Sequence, residues 1–289
     1  MKKYNKFSSL LTLSLVIIMA VPTVSMGAQP TVNLGTTSSY GVLAGSTITN
    51  TGTTKINGSA GGNVGLSPGT VFSEKTSVSE IGEVHLADTE AIKAKDDLVN
   101  AYNDAAGRTP VKTIPSELGG TTLKPGTYDS ADGTFQITGT LTLDAENDPN
   151  GVFVFKSAST LKTASRSSVN LIKSAQSCKV FWQVGSSATL GTNSDFVGHI
   201  LAMESITATT GAKVRGQLLA QIGAVTLDSN TITNDKCAAV SPTTTGTIAP
   251  TVTGGKLPKT STHFYDILLL GGALTLAGAL CWKNRKRFA

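Results

Sequence analysis

The stretch Ser187–Ala202, SATLGTNSDFVGHILA, is followed almost at once by Ser205–Ala220, SITATTGAKVRGQLLA. At an offset of 18 residues Ser187 falls on Ser205, Thr189 on Thr207, Thr192 on Thr210, Gly198 on Gly216, Leu201 on Leu219 and Ala202 on Ala220. A unit this short cannot enclose a core of its own. Copies become stable by stacking, each burying its apolar side against the next. Within each copy the β-favouring runs are brief and glycine stands between them, so the chain turns often instead of forming long hairpins. A third, partial copy runs from Ala224-Val225-Thr226-Leu227 to Asn230-Thr231-Ile232-Thr233, and Leu141–Leu143, Val152–Phe155 and Ser167–Ile172 have the same character. The pattern predicts a mainly β chain wound as a solenoid, with Leu201 and Leu219 inside, Gly198 and Gly216 at corners and the threonines on or beside an exposed face.

One segment breaks the pattern. In residues 83–106, EVHLADTEAIKAKDDLVNAYNDAA, Val84, Ala87, Ala91, Leu98, Ala101, Tyr102 and Ala105 recur at helical spacing, and Gly107 follows as a stop. This predicts one amphipathic helix over about 83–106, lying along the solenoid and covering an apolar face.

The ends read as addresses. Lys2, Lys3 and Lys6, the apolar run Leu10–Val21 and the small residues Ser25 and Gly27 make residues 1–27 a secretory signal, with a membrane anchor as the alternative. Residues 28–237 are the expected folded domain. Residues 238–256, including SPTTTGTIAPTVTGG, hold too few large apolar side chains to pack and read as a tether. In 257–289, Leu257-Pro258-Lys259-Thr260-Ser261 precedes an apolar run and the basic tail Lys283-Asn284-Arg285-Lys286-Arg287. That order resembles the cell-wall sorting signal of Gram-positive surface proteins. The resemblance implies a sortase as partner, membrane contact only before processing, and Thr260 joined to peptidoglycan. Ser261 departs from the glycine usual there, and a plain membrane anchor is the alternative.

The ends also carry the charge. The chain's net charge is +5, but nine of its 24 basic and one of its 19 acidic residues lie in the tails, leaving 15 basic against 18 acidic between them. No nucleic-acid footprint survives. Cys178 and Cys237 are the two cysteines of the expected domain; they are either one disulfide, favoured by an oxidising exterior, or two buried thiols. No CxxC or Cys/His set suited to zinc occurs.

LGTTSSYGVLAGSTITNTG, NAYNDAAGRTP, LGGTTLKPGTYDS, LTLDAENDPNGVFVFKSASTL, CKVFWQVGSSATLGTNS and GAVTLDSNTIT resemble, in that order, blocks of the microbial ice-binding protein family. The likeness covers residues 34–235. It implies a right-handed, discontinuous β-solenoid of triangular section with one long α-helix packed alongside. It further implies a flat ice-contacting face bearing a motif like Thr-Ala/Gly-X-Thr/Asn. Thr207-Ala208-Thr209-Thr210 fits that motif; Thr189-Leu190-Gly191-Thr192, followed by Asn193, keeps both threonines. The ice-binding candidates are therefore Thr189, Thr192, Asn193, Thr207, Thr209 and Thr210. Thr163-Ala164-Ser165-Arg166 is aligned with them and ends in a long cation.

Coils stacked at about 4.8 Å would set Thr189 over Thr207 and Thr192 over Thr210. A threonine carries a methyl and a hydroxyl on a stiff stem, so such ranks can hold water in fixed places at little entropic cost. Threonine ladders also simply suit β structure. His85, His199 and His263 fall where none pairs with a nucleophile, and Asp144, Glu146 and Asp148 read as a solvated turn, so neither catalysis nor a metal or other cofactor is expected. Two readings stand: a wall-displayed ice-binding protein, or a surface adhesin using the same fold to bind a glycan, a mineral or another cell. Lys162, Arg166, Lys213 and Arg215 on the flat face would favour the second.

Overall fold

The computed structural model describes residues 29–239. The signal-like segment 1–27, the tether beyond Ala239 and Leu257, Pro258, Lys259, Thr260 and Ser261 lie outside them. The described chain is a β-solenoid of short parallel strands with a single α-helix, Thr89–Gly107. Each full coil gives one strand to each of three faces. One face is an isolated seven-stranded parallel sheet, in the order Phe135–Ile137, Leu161–Thr163, Ala188–Leu190, Ile206–Ala208, Val225–Asp228, Thr47–Thr51, Val71–Ser73. The other two faces are continuous because Asp195–Ala202 and Lys213–Ala220 each bend from one to the other.

The bends occur at Gly198 and Gly216, with φ of 116° and 153°. These two stack directly, and a Cβ on Gly216 would lie 2.0 Å from the Gly198 carbonyl oxygen. Only glycine meets both the backbone angle and the close approach.

The strand order is not the chain order. Thr47–Thr51 pairs with Val225–Asp228, so the N-terminal coils stack on the last C-terminal coil and occupy an edge that would otherwise stand open. The helix follows from this arrangement. Val84–Leu86 and Val111–Ile114 lie at opposite edges of one nine-stranded face. Eight strand spacings amount to about 38 Å. A 19-residue helix spans about 28 Å of that, and its flanking residues cover the rest.

The helix begins later than the periodicity predicts. Val84–Leu86 is a strand paired with Val64–Leu66, and Asp88, whose carboxylate accepts the Ala91 N–H at 2.8 Å, is the cap that starts the helix. Strand pairing to the neighbouring coil overrides the local helical pattern there. Ala91, Ala94, Leu98, Ala101, Tyr102 and Ala105 form the buried stripe. The alanines let the helix lie close over Leu43, Val154, Phe181, Leu201 and Leu219.

Leu201 and Leu219 are thus fully buried, but in the layer beneath the helix; the solenoid interior takes their neighbours Ile200 and Leu218. That interior is aromatic at its centre, where Trp182 stacks on Phe155 at 4.0 Å and donates its indole N–H to the Val197 carbonyl at 3.0 Å. Cys178 and Cys237 are bonded to each other, with α-carbons 5.4 Å apart, and close a stretch with a sequence separation of 59. In the chain-entropy account a loop of that length stabilises by about 4 kcal/mol.

His199 sits in the helix-side layer, stacked 5.1 Å from Phe181, with Gln217 as its counterpart in the next coil. Burial pushes its pKa down to about 4. The fold therefore holds it neutral. As pH falls through about 6.5 the unfolded chain takes up a proton that the fold refuses until about 4, so stability is lost across that window, by about 3 kcal/mol in all. His199→Gln, a side chain the next coil already accommodates, should flatten stability against pH between 6.5 and 4 in denaturant titrations. An undiminished slope would assign the acid sensitivity to other groups.

Candidate functional site

The seven-stranded sheet turns alternate side chains outward. Its middle rank runs Gln136, Lys162, Thr189, Thr207, Thr226, Thr49, Ser73, each opposite the next. Four threonines and a serine thus stand side by side at strand spacing, drawn from both halves of the chain. The Thr49 hydroxyl donates to the Thr226 hydroxyl at 3.3 Å. Beneath the rank the inward residues Ala188, Leu190, Ile206, Ala208, Val225, Leu227 and Ile48 are fully buried, which holds the strands flat against the core.

A second rank forms where the chain leaves this face. Arg166, Asn193, Gly211, Ser229 and Gly52 take left-handed backbone angles there. The N–H groups of the first four bond the carbonyls of Thr192, Thr210, Asp228 and Thr51 in the adjoining coil. The residues just before the corner, Ser165, Thr192, Thr210, Asp228 and Thr51, consequently line up. Several of their hydroxyls are already committed. Thr210 donates to Asp228, the Thr192 and Thr209 hydroxyls lie 3.3 Å apart, and Thr209 donates to the Leu190 carbonyl at 2.7 Å. Committed hydroxyls do not need to be immobilised again when water or a solid surface is bound.

The adjoining face is different in kind. Lys55, Thr231, Lys213 and Asp195 form a rank there, and Arg215 reaches Asp195 at 3.7 Å. Mobile charges of this sort do not hold water in a lattice. On the threonine face the long side chains Gln136 and Lys162 are confined to one end, leaving an uncharged middle rank from Thr189 to Ser73.

The Ice-binding-like family profile matches residues 42–233. An ice-binding protein of Nostoc sp. (strain HG1) is 46% identical over 203 residues, which cover 70% of this chain and 73% of that protein. The chain belongs to the ice-binding-like family. An ice-binding protein of Colwellia sp. is 34% identical over 225 residues, 72% of this chain and 85% of its own length. Among solved structures, an ice-binding protein from an Antarctic biological consortium superposes with a TM-score of 0.68 at 41% identity, covering 71% of this chain and 92% of its own. That of the Antarctic ascomycete Antarctomyces psychrotrophicus gives a TM-score of 0.67 at 38% identity, covering 72% and 100%.

Within this family fold the sequence candidates fall in three places. Thr189 and Thr207 are opposed in the middle rank. Thr192 and Thr210 are in the corner rank, with Thr209 half-buried beside them. Asn193 is exposed at the corner itself, φ 54°. The alignment of Thr163 with Thr189 is off by one residue. Lys162 is the partner of Thr189, Thr163 is 8% exposed with its hydroxyl accepting the Gly191 N–H, and Ser165 replaces Arg166 in the corner rank. A one-residue slip exchanges the faces of a strand, so the middle rank gains a lysine and the corner rank gains a serine. Thr226, Thr49, Ser73, Thr51 and Asp228 were missing from the candidate set. The likeness of Thr47-Ile48-Thr49-Asn50-Thr51 to Ser205-Ile206-Thr207-Ala208-Thr209 was the available signal.

The carboxylates of the Asp144–Asp148 turn are engaged at two positions. Asp144 pairs with Lys173 at 2.7 Å and Glu146 with Lys124 at 2.5 Å, which pulls both away from a shared cation. His85, Asp88 and Glu90 come within 4.8 Å of one another at the helix start. Asp88 is spent there on the Ala91 N–H and on His85 at 2.9 Å, and the positive end of the helix opposes a cation.

Proposed function

We propose that this chain is an ice-binding protein of the antifreeze type that adsorbs to ice through its threonine face. What carries the reading is the unbroken, uncharged rank of Thr189, Thr207, Thr226, Thr49 and Ser73, set on a rigid sheet. Methyls at fixed spacing shape the water above them and hydroxyls tie it down. No proton moves and no bond is made, so the activity needs neither a catalytic residue nor a cofactor. The test is thermal hysteresis and inhibition of ice recrystallisation by the purified protein. Unaltered crystal growth at high protein concentration would put the adhesin reading first. That reading draws on Lys162 in the middle rank and the exposed Arg166 at the corner; Lys213 and Arg215 belong to the neighbouring face.

The same proposal places the protein on a cell surface, exported by residues 1–27 and joined to peptidoglycan at Thr260 by a sortase, with the tether holding the ice-contact domain outward. Support comes from the order of LPKTS, apolar run and basic tail. Thr260→Ala should move the protein from the wall fraction to the medium or the membrane. Wall-linked protein in that variant would overturn the anchoring.

A further inference from the structure

Asp228 is a carboxylate in a rank whose other members, Ser165, Thr192, Thr210 and Thr51, carry hydroxyls. An ionised carboxylate facing water gathers its own hydration shell, which would disturb an ordered layer. Here both oxygens are already occupied by the protein. One accepts the Thr210 hydroxyl from the preceding coil, and the other accepts the Ser229 hydroxyl at 3.1 Å. The Ser229 hydroxyl in turn lies over Gly52 in the next coil, where a Cβ would come within 2.3 Å of it. The Asp228 backbone is clamped as well. Its N–H donates to Asn230 Oδ1 at 2.7 Å, and the Asn230 amide, 1% exposed, donates to the Thr209 and Ala212 carbonyls at 2.9 and 3.1 Å.

We propose that Asp228 is a positioning residue of the ice-contact surface, fixing the Thr210 side chain of the preceding coil and the Ser229 side chain of its own; this rests on the ice-contact reading of the threonine face. Each side chain torsion has three staggered wells. Freeing one leaves about a third of the population competent and weakens ice adsorption about threefold.

The experiment measures ice adsorption and melting for the wild type, Asp228→Ala, Asp228→Asn, Thr210→Val and the Asp228→Ala/Thr210→Val double variant, together with NMR couplings reporting the Thr210 χ1 angle. Asp228→Ala should lower adsorption about threefold per freed side chain with its melting transition in place. Asp228→Asn, which keeps one acceptor oxygen, should recover part of the loss. Thr210→Val should weaken the wild type yet add little to Asp228→Ala. Additive losses would overturn the proposal. So would Thr210 couplings that average over rotamers in the wild type, whatever the ice activity. A single Thr210 rotamer that averages only in Asp228→Ala, in a protein with no ice activity, would sustain the positioning and overturn the ice-contact reading alone.

Discussion

Thr207→Tyr should remove most of the thermal hysteresis while leaving the fold in place. Thr207 lies within the small-residue rank, between Thr189 and Thr226. A tyrosine there projects a ring above the plane and prevents close approach of the neighbouring threonines to a flat lattice. Stability should change by about 0.5 kcal/mol or less, because the position faces outward and tyrosine is at home in strands. Lys162→Thr should act in the opposite sense. It extends the rank from Thr189 by one more coil and removes the mobile charge that ends it, so hysteresis at matched concentration should rise. Paired melting and hysteresis measurements decide both. Normal melting with undiminished activity in Thr207→Tyr would move the contact surface to another face.

Leu219→Ala should destabilise the protein by about 2–5 kcal/mol. Its side chain is fully buried under the helix, against Leu201 and Leu43 in the neighbouring strands and the helix stripe above. Truncation leaves a cavity between two rigid layers that cannot close over it. The helix should feel this first, so its amides should lose exchange protection ahead of those of the seven-stranded sheet. Val99→Ala, on the exposed side of the same helix, is the control and should stay within about 0.5 kcal/mol. Equal melting of Leu219→Ala and wild type would mean that the helix-side layer is not closely packed.

The sequence by itself determined the coil. The offset that superposes Ser187–Ala202 on Ser205–Ala220 is the register in which eight residues of Asp195–Ala202 pair with Lys213–Ala220. Stacked coils place like on like, because a corner must meet a corner and a core residue a core residue, so the period is written directly in the residues. The helix was legible for the same reason: its alanine and leucine stripe has the one period that buries a helix on a single side.

Direction and company were decided only by the tertiary structure. Ile200 and Leu201, like Leu218 and Leu219, are apolar neighbours in strands buried on both sides, so hydrophobicity does not say which faces the interior and which the helix. The helix chooses, by covering one face. The slip at Lys162 has a similar origin. The corners after Lys162 and Thr189 are equally long, so strand pairing alone decides: Lys162 pairs with Thr189 and turns outward, which sends the adjacent Thr163 inward to 8% exposure. The largest such effect is the arrival of Thr49 and Ser73 beside Thr226. They come from coils near the other end of the sequence, and they complete the rank because the last coil's open edge is satisfied by the first strands of the domain.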